Sequence, residues 1–217
     1  MPGRYRDVIC DWSGTIVNDL PPVVDGTNAV LRHFGRPEVT VDSFRREFQL
    51  PFSLYYERKL PEVELKAIET VFRDAFLLST EVVTVLPHAR EFLQACRDSG
   101  RRLFVLSSAP QEAVEAQATD LGLAEFFHSI CGSVVDKRQR IANFMNEHAM
   151  DAMETCMIGD MSHDIHTARA GGIGAIAVLT GYEFAETLSA AQPDIMVEHL
   201  HELAALMGME YPAATPE

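Results

Sequence analysis

The sequence predicts a doubly wound α/β fold, a parallel sheet with helices on both faces, carrying a small helical unit inserted after the first strand. Three observations carry that reading. Short apolar runs rich in Val, Ile and Leu recur at "DVIC", "RLFVLS", "SICGS", "TCMIGD" and "AIAVLT". Segments of helical periodicity lie between them, with "PHAREFLQACRDSG" and "KRQRIANFMNEHAM" the clearest. A strand buried on both faces has no polar side to alternate with, so unbroken apolar runs separated by amphipathic helices indicate a covered parallel sheet. The third observation is that residues 17 to 86 break this alternation.

In chain order, "DVIC" is the first strand, and it runs into Asp11 and the small-residue turn "SGT". The next stretch reads as successive helices, "PPVVDGTNAVLRHFG", "TVDSFRREFQ" and "LPEVELKAIETVFRDAFLL", with no buried strand among them. The predicted division is therefore a core of residues 1–16 and 87–217 and a helical domain of residues 17–86. From "PHAREF" onward helix and strand alternate to the end, where "GMEYPAATPE" is expected to fray.

At 217 residues, 47% of them apolar, the chain can bury one sizeable core with a smaller inserted unit. Its net charge of −14 argues against a surface made for nucleic acid or an anionic membrane, because either partner wants a basic face. An anionic substrate would then need local positive charge, such as a metal ion. No apolar run approaches the roughly 18 to 20 residues of a membrane helix, and no apolar leader precedes the first strand, so the expected location is cytoplasmic. Cys10, Cys96, Cys131 and Cys156 lack metal-ligand spacing and read as reduced core residues.

The informative feature is where the strands end. In an open α/β sheet the ligand sits at the carboxyl ends of the strands. Here those ends carry Asp11 after "DVIC", Ser107 after "LFVL", Lys137 in the loop after "ICGSVV", and Asp160 with Asp164 in "MIGDMSHD". Carboxylates on adjacent loops suit a hard cation, since Mg²⁺ takes oxygen ligands and completes its sphere with water and phosphate oxygens. Lys137 and Ser107 would hold the remaining phosphate oxygens.

These four groups, in this order, resemble the motifs of the haloacid dehalogenase superfamily of aspartate-nucleophile phosphohydrolases. "TARAGGIGAIAVLTG" and "PDIMVEHLHEL" also look like that family, and the helical insert is similar to the small cap of its phosphoglycolate phosphatase and β-phosphoglucomutase branch. The resemblance implies that Asp11 attacks phosphorus to give an aspartyl-phosphate. It implies Mg²⁺ held by the Asp11 side chain, the Ser13 carbonyl and Asp160, with Asp164 as a ligand or just behind. Ser107, Ser108, Lys137 and the turn at Gly14 and Thr15 would cradle the phosphoryl group. Arg45 and Lys59, with Arg46, Tyr55 and Tyr56, fall where related caps carry their specificity loop. The implied partner is a small anionic organophosphate or phosphonate, with no nucleic acid and no membrane, bound by a monomer or homodimer.

Ser13 departs from the pattern. Phosphatases and mutases of the superfamily usually carry a second Asp there, which protonates the leaving alkoxide and then activates water. A serine hydroxyl does neither near neutral pH without a partner base. Three readings stay open: a metal-dependent phosphohydrolase whose proton comes from His163, a cap residue or the substrate; a carbon–phosphorus hydrolase like phosphonoacetaldehyde hydrolase, since "DWSGT" resembles "DWAGT", with Lys59 or Lys66 forming a Schiff base; or a catalytically weak phosphoryl-ligand binder. Plainer roles stand beside these. Trp12 reads as packing, Ser107 or Ser108 as a cap for a helix beginning near Pro110, His163 and His166 as solvated helix residues, and Arg138 as a possible sharer of the Lys137 role.

Overall fold

The computed structural model describes residues 2–210, so residues 211–217 of the tail expected to fray lie outside the described residues. Two compact units form: Asn18–Thr84 is one, and the described residues on either side of it make the other.

The strands and helices run in the order β1 (Asp7–Cys10), β2 (Val17–Asn18), α1 (Leu20–His33), α2 (Val41–Glu47), α3 (Ser53–Lys59), α4 (Leu65–Leu78), β3 (Thr84–Val85), α5 (Ala89–Asp98), β4 (Arg102–Leu106), α6 (Gln111–Asp120), β5 (Ser129–Cys131), α7 (Lys137–Glu147), β6 (Thr155–Gly159), α8 (Ser162–Gly171), β7 (Gly174–Val178), α9 (Ala185–Ala190), β8 (Ile195–Val197) and α10 (Leu200–Leu206). Six strands make one parallel sheet in the order β5-β4-β1-β6-β7-β8, and β2 pairs with β3. Each apolar run of the sequence is one of the six, and the covered α/β sheet predicted from them is the observed one.

The order reverses at β1, with β4 and β5 on one side and β6 to β8 on the other, which puts the switch point beside β1. β1 is buried along its whole length, as a central strand's continuous apolar sequence requires. In register, Val8 faces Leu103 and Cys156, and Cys10 faces Val105 and Ile158. On one face of the sheet, Ile9, Phe104 and Met157 pack under Ile141 and Phe144 of α7 and Ile165 of α8. Phe104 meets Phe144 edge-on, with ring centres 6.0 Å apart. Elsewhere α5 and α10 pack together, burying Phe92, Leu93, Leu200 and Leu203. The cysteines are free thiols, three of them buried.

The helical unit has its own small core. α1 begins with prolines, whose fixed φ suits a first turn, and it packs against α2 and α4. The Asn28 side chain accepts from Val39 N–H at 2.8 Å and donates to the Val39 carbonyl at 3.0 Å, tying the α1–α2 connection down. Thr40 caps α2 by accepting from Ser43 N–H at 3.1 Å. Phe44 stacks on Phe48 with centres 4.8 Å apart, and Tyr55 meets Phe44 edge-on at 5.4 Å. Tyr55 and Tyr56, expected among the specificity groups, are therefore corrected to core residues of this unit: both are buried, and the Tyr56 hydroxyl donates to Thr27 Oγ1 at 3.3 Å. Position 56 lies one residue from 55 on α3, so the two rings cover a broad face of that helix.

Phe104 is 1% exposed at the centre of the main core. Phe104→Ala should lower unfolding free energy by about 3–5 kcal/mol, read as a shifted urea midpoint with an unchanged slope.

Candidate active site

Every strand-end residue singled out in the sequence sits at the carboxyl edge of the sheet. Asp11 directly continues β1, its N–H donating to the Ile158 carbonyl of β6 at 2.8 Å. Asp160 directly follows β6. Asp164 lies in the first turn of α8 and accepts from Met161 N–H at 3.3 Å, so it also serves the start of that helix. Lys137 was expected in a loop; it is instead the first residue of α7, whose capping residue Asp136 accepts from Arg138 N–H at 3.0 Å. The helix start anchors the backbone of a side chain that then runs inward.

The Lys137 ammonium is fully buried and donates to Asp11 Oδ1 at 2.5 Å and to Asp164 Oδ1 at 2.7 Å. Asp160 is held from two other segments: Thr15 Oγ1 donates to its Oδ1 at 3.1 Å and Tyr182 N–H to its Oδ2 at 2.6 Å. Oxygens of Asp11, Asp160 and Asp164 lie within 4.8 Å of one another, and all three residues are buried. The turn after Asp11 fits against this group only because position 14 is glycine. Gly14 has φ +73°, and a Cβ there would meet the Asp160 carboxylate and come within 2.8 Å of Gly181 Cα. The Thr180 hydroxyl donates to the Gly14 carbonyl at 2.7 Å, and Gly14 N–H donates to the Val17 carbonyl at 2.8 Å. Ser13 is half-buried in the same turn and bridges to Val17.

Electrostatics follow from this crowding. Burial raises the pKa of Asp11, with Lys137 opposing it. Burial raises Asp160 well above the usual carboxylate range, and the charges of Asp11 and Asp164 add to the rise. Asp164 is likewise raised by burial against the pull of Lys137. Burial alone would lower the pKa of Lys137, but the two carboxylates outweigh it and the net shift is upward. Three buried carboxylates thus face one buried ammonium. An all-oxygen donor set with negative charge left over fits a hard divalent cation.

Ser107 is buried, its N–H donating to the Cys131 carbonyl at 2.8 Å and its Oγ accepting from Ala109 N–H at 3.1 Å. The Ser108 Oγ is buried with no hydrogen-bond partner. Neither caps α6: Pro110 occupies the capping position and Ser133 Oγ accepts from Gln111 N–H at 3.0 Å, which corrects that expectation. His163 is also corrected, being buried and not solvated, while His166 is exposed. His163 Nε2 accepts from Lys137 N–H at 3.3 Å and lies 3.7 Å from Asp136 Oδ1. Burial, then the charge of Lys137, push its pKa down to about 4, so it is a neutral acceptor at pH 7. Arg138 pairs with Asp136 at 2.8 Å and does not share the position of Lys137. Trp12 packs as expected, fully buried, with Nε1 donating to Gln117 Oε1 at 2.7 Å.

Arg45 and Lys59 belong to the helical unit, on α2 and α3. Lys59 Nζ pairs with Glu47 at 2.6 Å and lies 5.8 Å from the centre of the Tyr55 ring; Lys66 is exposed.

The loop after β7 holds Thr180, the last residue of the run "AIAVLT", and two polar residues outside every stretch quoted from the sequence. It supplies Thr180, Tyr182 and the buried Glu183, whose carboxylate accepts from Ser162 N–H at 2.6 Å and from Ser162 Oγ at 2.9 Å. Burial raises the pKa of Glu183, with the Ser162 bonds opposing it. The readable signal was its place: polar residues directly after the apolar run "AIAVLT", at the same edge of the sheet.

Fold and charge cluster together are those of an α/β enzyme. A family model described as haloacid dehalogenase-like hydrolase matches residues 8–178, and the chain belongs to that family. Phosphoglycolate phosphatase 1 of Pseudomonas aeruginosa is 21% identical over 212 residues, covering 91% of this chain and 78% of that protein. Phosphoglycolate phosphatase of Yersinia pseudotuberculosis is 24% identical over 217 residues, covering 94% of each. A haloacid dehalogenase-like family hydrolase from Streptococcus pneumoniae has the same fold, with a TM-score of 0.85 at 19% identity over 94% of this chain and 98% of that one. No helix among the described residues is long and apolar enough to cross a membrane.

All three carboxyls hold their protons to higher pH in the folded chain than in the unfolded one. Without metal, folding stability should therefore fall as pH rises from the ordinary carboxylate range through the raised values. Thermal melts in chelator should show that decline, and saturating divalent cation should flatten it. Asp160→Asn should raise the melting temperature in chelator at pH 7.5 and abolish the gain from added metal; an unchanged gain would contradict the cation assignment.

Proposed function

We propose that this chain is a divalent-metal-dependent phosphohydrolase of small anionic phosphate esters, working through an aspartyl-phosphate on Asp11. The observation that carries the proposal is the buried Lys137 ammonium on Asp11 Oδ1 at 2.5 Å, beside the carboxylates of Asp160 and Asp164. A nucleophilic carboxylate has to be ionised while an anionic phosphoryl group approaches; Lys137 opposes the rise that burial gives Asp11, and a bound cation would oppose it further.

In this reading Asp11, the Ser13 carbonyl and Asp160 would hold Mg²⁺, with Asp164 as ligand or behind it. The ion supplies charge neutralisation for the phosphoryl oxygens. The Asp11 carboxylate attacks phosphorus in line, the P–O bond to the alcohol breaks, and water then releases phosphate and regenerates Asp11. Ser107, Ser108 and the N–H groups at Gly14 and Thr15 orient the phosphoryl oxygens. The names of the relatives favour a small phosphorylated acid as substrate. Arg45 and Lys59 contribute to substrate choice under this proposal, so Arg45→Ala and Lys59→Ala should raise KM with little change in kcat.

With Ser13 in the acid–base position, the leaving alkoxide needs another proton source. A neutral His163 bonded to the Lys137 backbone does not offer one at pH 7. That leaves a residue of the helical unit or an acidic proton of the substrate, and predicts a preference for good leaving groups.

The test is steady-state hydrolysis with Mg²⁺ across aryl and alkyl phosphates. Asp11→Asn should abolish turnover of both. Ser13→Asp should raise alkyl-phosphate turnover by about 10²-fold or more and aryl-phosphate turnover much less. Equal rates for wild type and Asp11→Asn would overturn the proposal.

A further inference from the structure

We infer that His88, His199 and His201 form a second metal site, separate from the carboxylate cluster and of the Zn²⁺ class. His88 directly precedes α5, His199 directly precedes α10, and His201 is the second residue of α10. The packing of α5 against α10 brings the three rings together from two distant parts of the chain. Their centres are 5.0 Å apart for His88 and His199, 5.3 Å for His88 and His201, and 6.0 Å for His199 and His201.

Two of these spacings are those of imidazoles sharing one tetrahedral ion, and the third is about 1 Å wider. With a metal–nitrogen bond of about 2.0–2.1 Å, ring centres lie about 3 Å from the ion and about 5 Å from each other. A ring centre stays almost on the Cβ–Cγ axis, so turning about χ2 changes which nitrogen faces inward and leaves the spacing intact. The turn is required: among the described residues, the group whose ligand atoms already converge within 4.8 Å is that of Asp11, Asp160 and Asp164.

Two further features point the same way. The Nδ1 of His199 is buried with no hydrogen-bond partner, a position a polar atom occupies at a cost unless something satisfies it. His88 has φ +69°, where glycine is favoured and an L side chain is strained, so the ring at this position is carried against the local backbone preference. Imidazole ligands select Zn²⁺, Co²⁺, Ni²⁺ or Cu²⁺, whereas carboxylates suit Mg²⁺, so the two sites would draw on different ions.

The test uses untagged full-length protein carrying Asp160→Asn, which removes the carboxylate site, titrated with Co²⁺ and followed by visible absorption. One equivalent should bind with the intense band of a four-coordinate cobalt centre, and Zn²⁺ should displace it. Adding His88→Gly should leave a folded protein whose melting temperature in chelator is equal or higher, since glycine suits φ +69°. Its cobalt affinity should fall by about tenfold or more, and the metal-induced rise in melting temperature should be lost. His199→Asn, measured separately, should do the same to binding. The inference is overturned if no equivalent of Co²⁺ binds, or if binding persists undiminished in His88→Gly.

Discussion

The rest of the site depends on one buried ammonium. Lys137 reaches from the first residue of α7 to bond Asp11 at the end of β1 and Asp164 at the start of α8. It therefore ties the central strand to two helices, α7 and α8, that pack against each other. Removing the ammonium leaves the buried carboxylates uncompensated and costs about 3–5 kcal/mol, more than any exposed pair on this surface contributes. The contacts around it serve the same end: His163 accepts the Lys137 N–H, and Asp136 caps the helix from which the side chain springs. His163 adjoins the ligand candidate Asp164 in sequence, so one short helix start orients both the cation and a carboxylate.

Charge balance explains why this arrangement points to a metal and a phosphoryl group. One ammonium beside three carboxylates leaves negative charge in a desolvated place once all three ionise. A divalent cation would cancel that charge and so lift the repulsion an anion would meet there, in a chain whose net charge is −14. Ser13 fits the same frame. Its backbone lies in the turn that Gly14 and Thr180 hold against Asp160, and under the proposed function its side chain brings no carboxyl group to move a proton.

The fold was legible because its strands are buried on both faces. "DVIC", "RLFVL" and "TCMIG" read as strands from apolar continuity alone, and each ends on a residue of the cluster or its neighbour. What could not be read was set by tertiary placement. His163 follows a serine in a polar motif and looks solvated, yet α7 covers it. Tyr55 and Tyr56 sit among charged residues that suggest a binding face, yet they fill the core of a small helical unit. Glu183 and Tyr182 lie in a loop with no motif of their own, and only the sheet brings them to Ser162 and Asp160. The two-residue strands β2 and β3 are too short to leave a pattern.

The central claim is that Asp11 carries the phosphoryl group during turnover. It is tested most directly by mixing full-length protein with Mg²⁺ and an activated aryl phosphate, quenching in acid within the first turnover, and mapping the phosphorylated peptide by mass spectrometry. The account predicts one phosphoryl group on Asp11, absent in Asp11→Asn. Turnover that proceeds with no phosphorylated intermediate, or with the group on another residue, would contradict it.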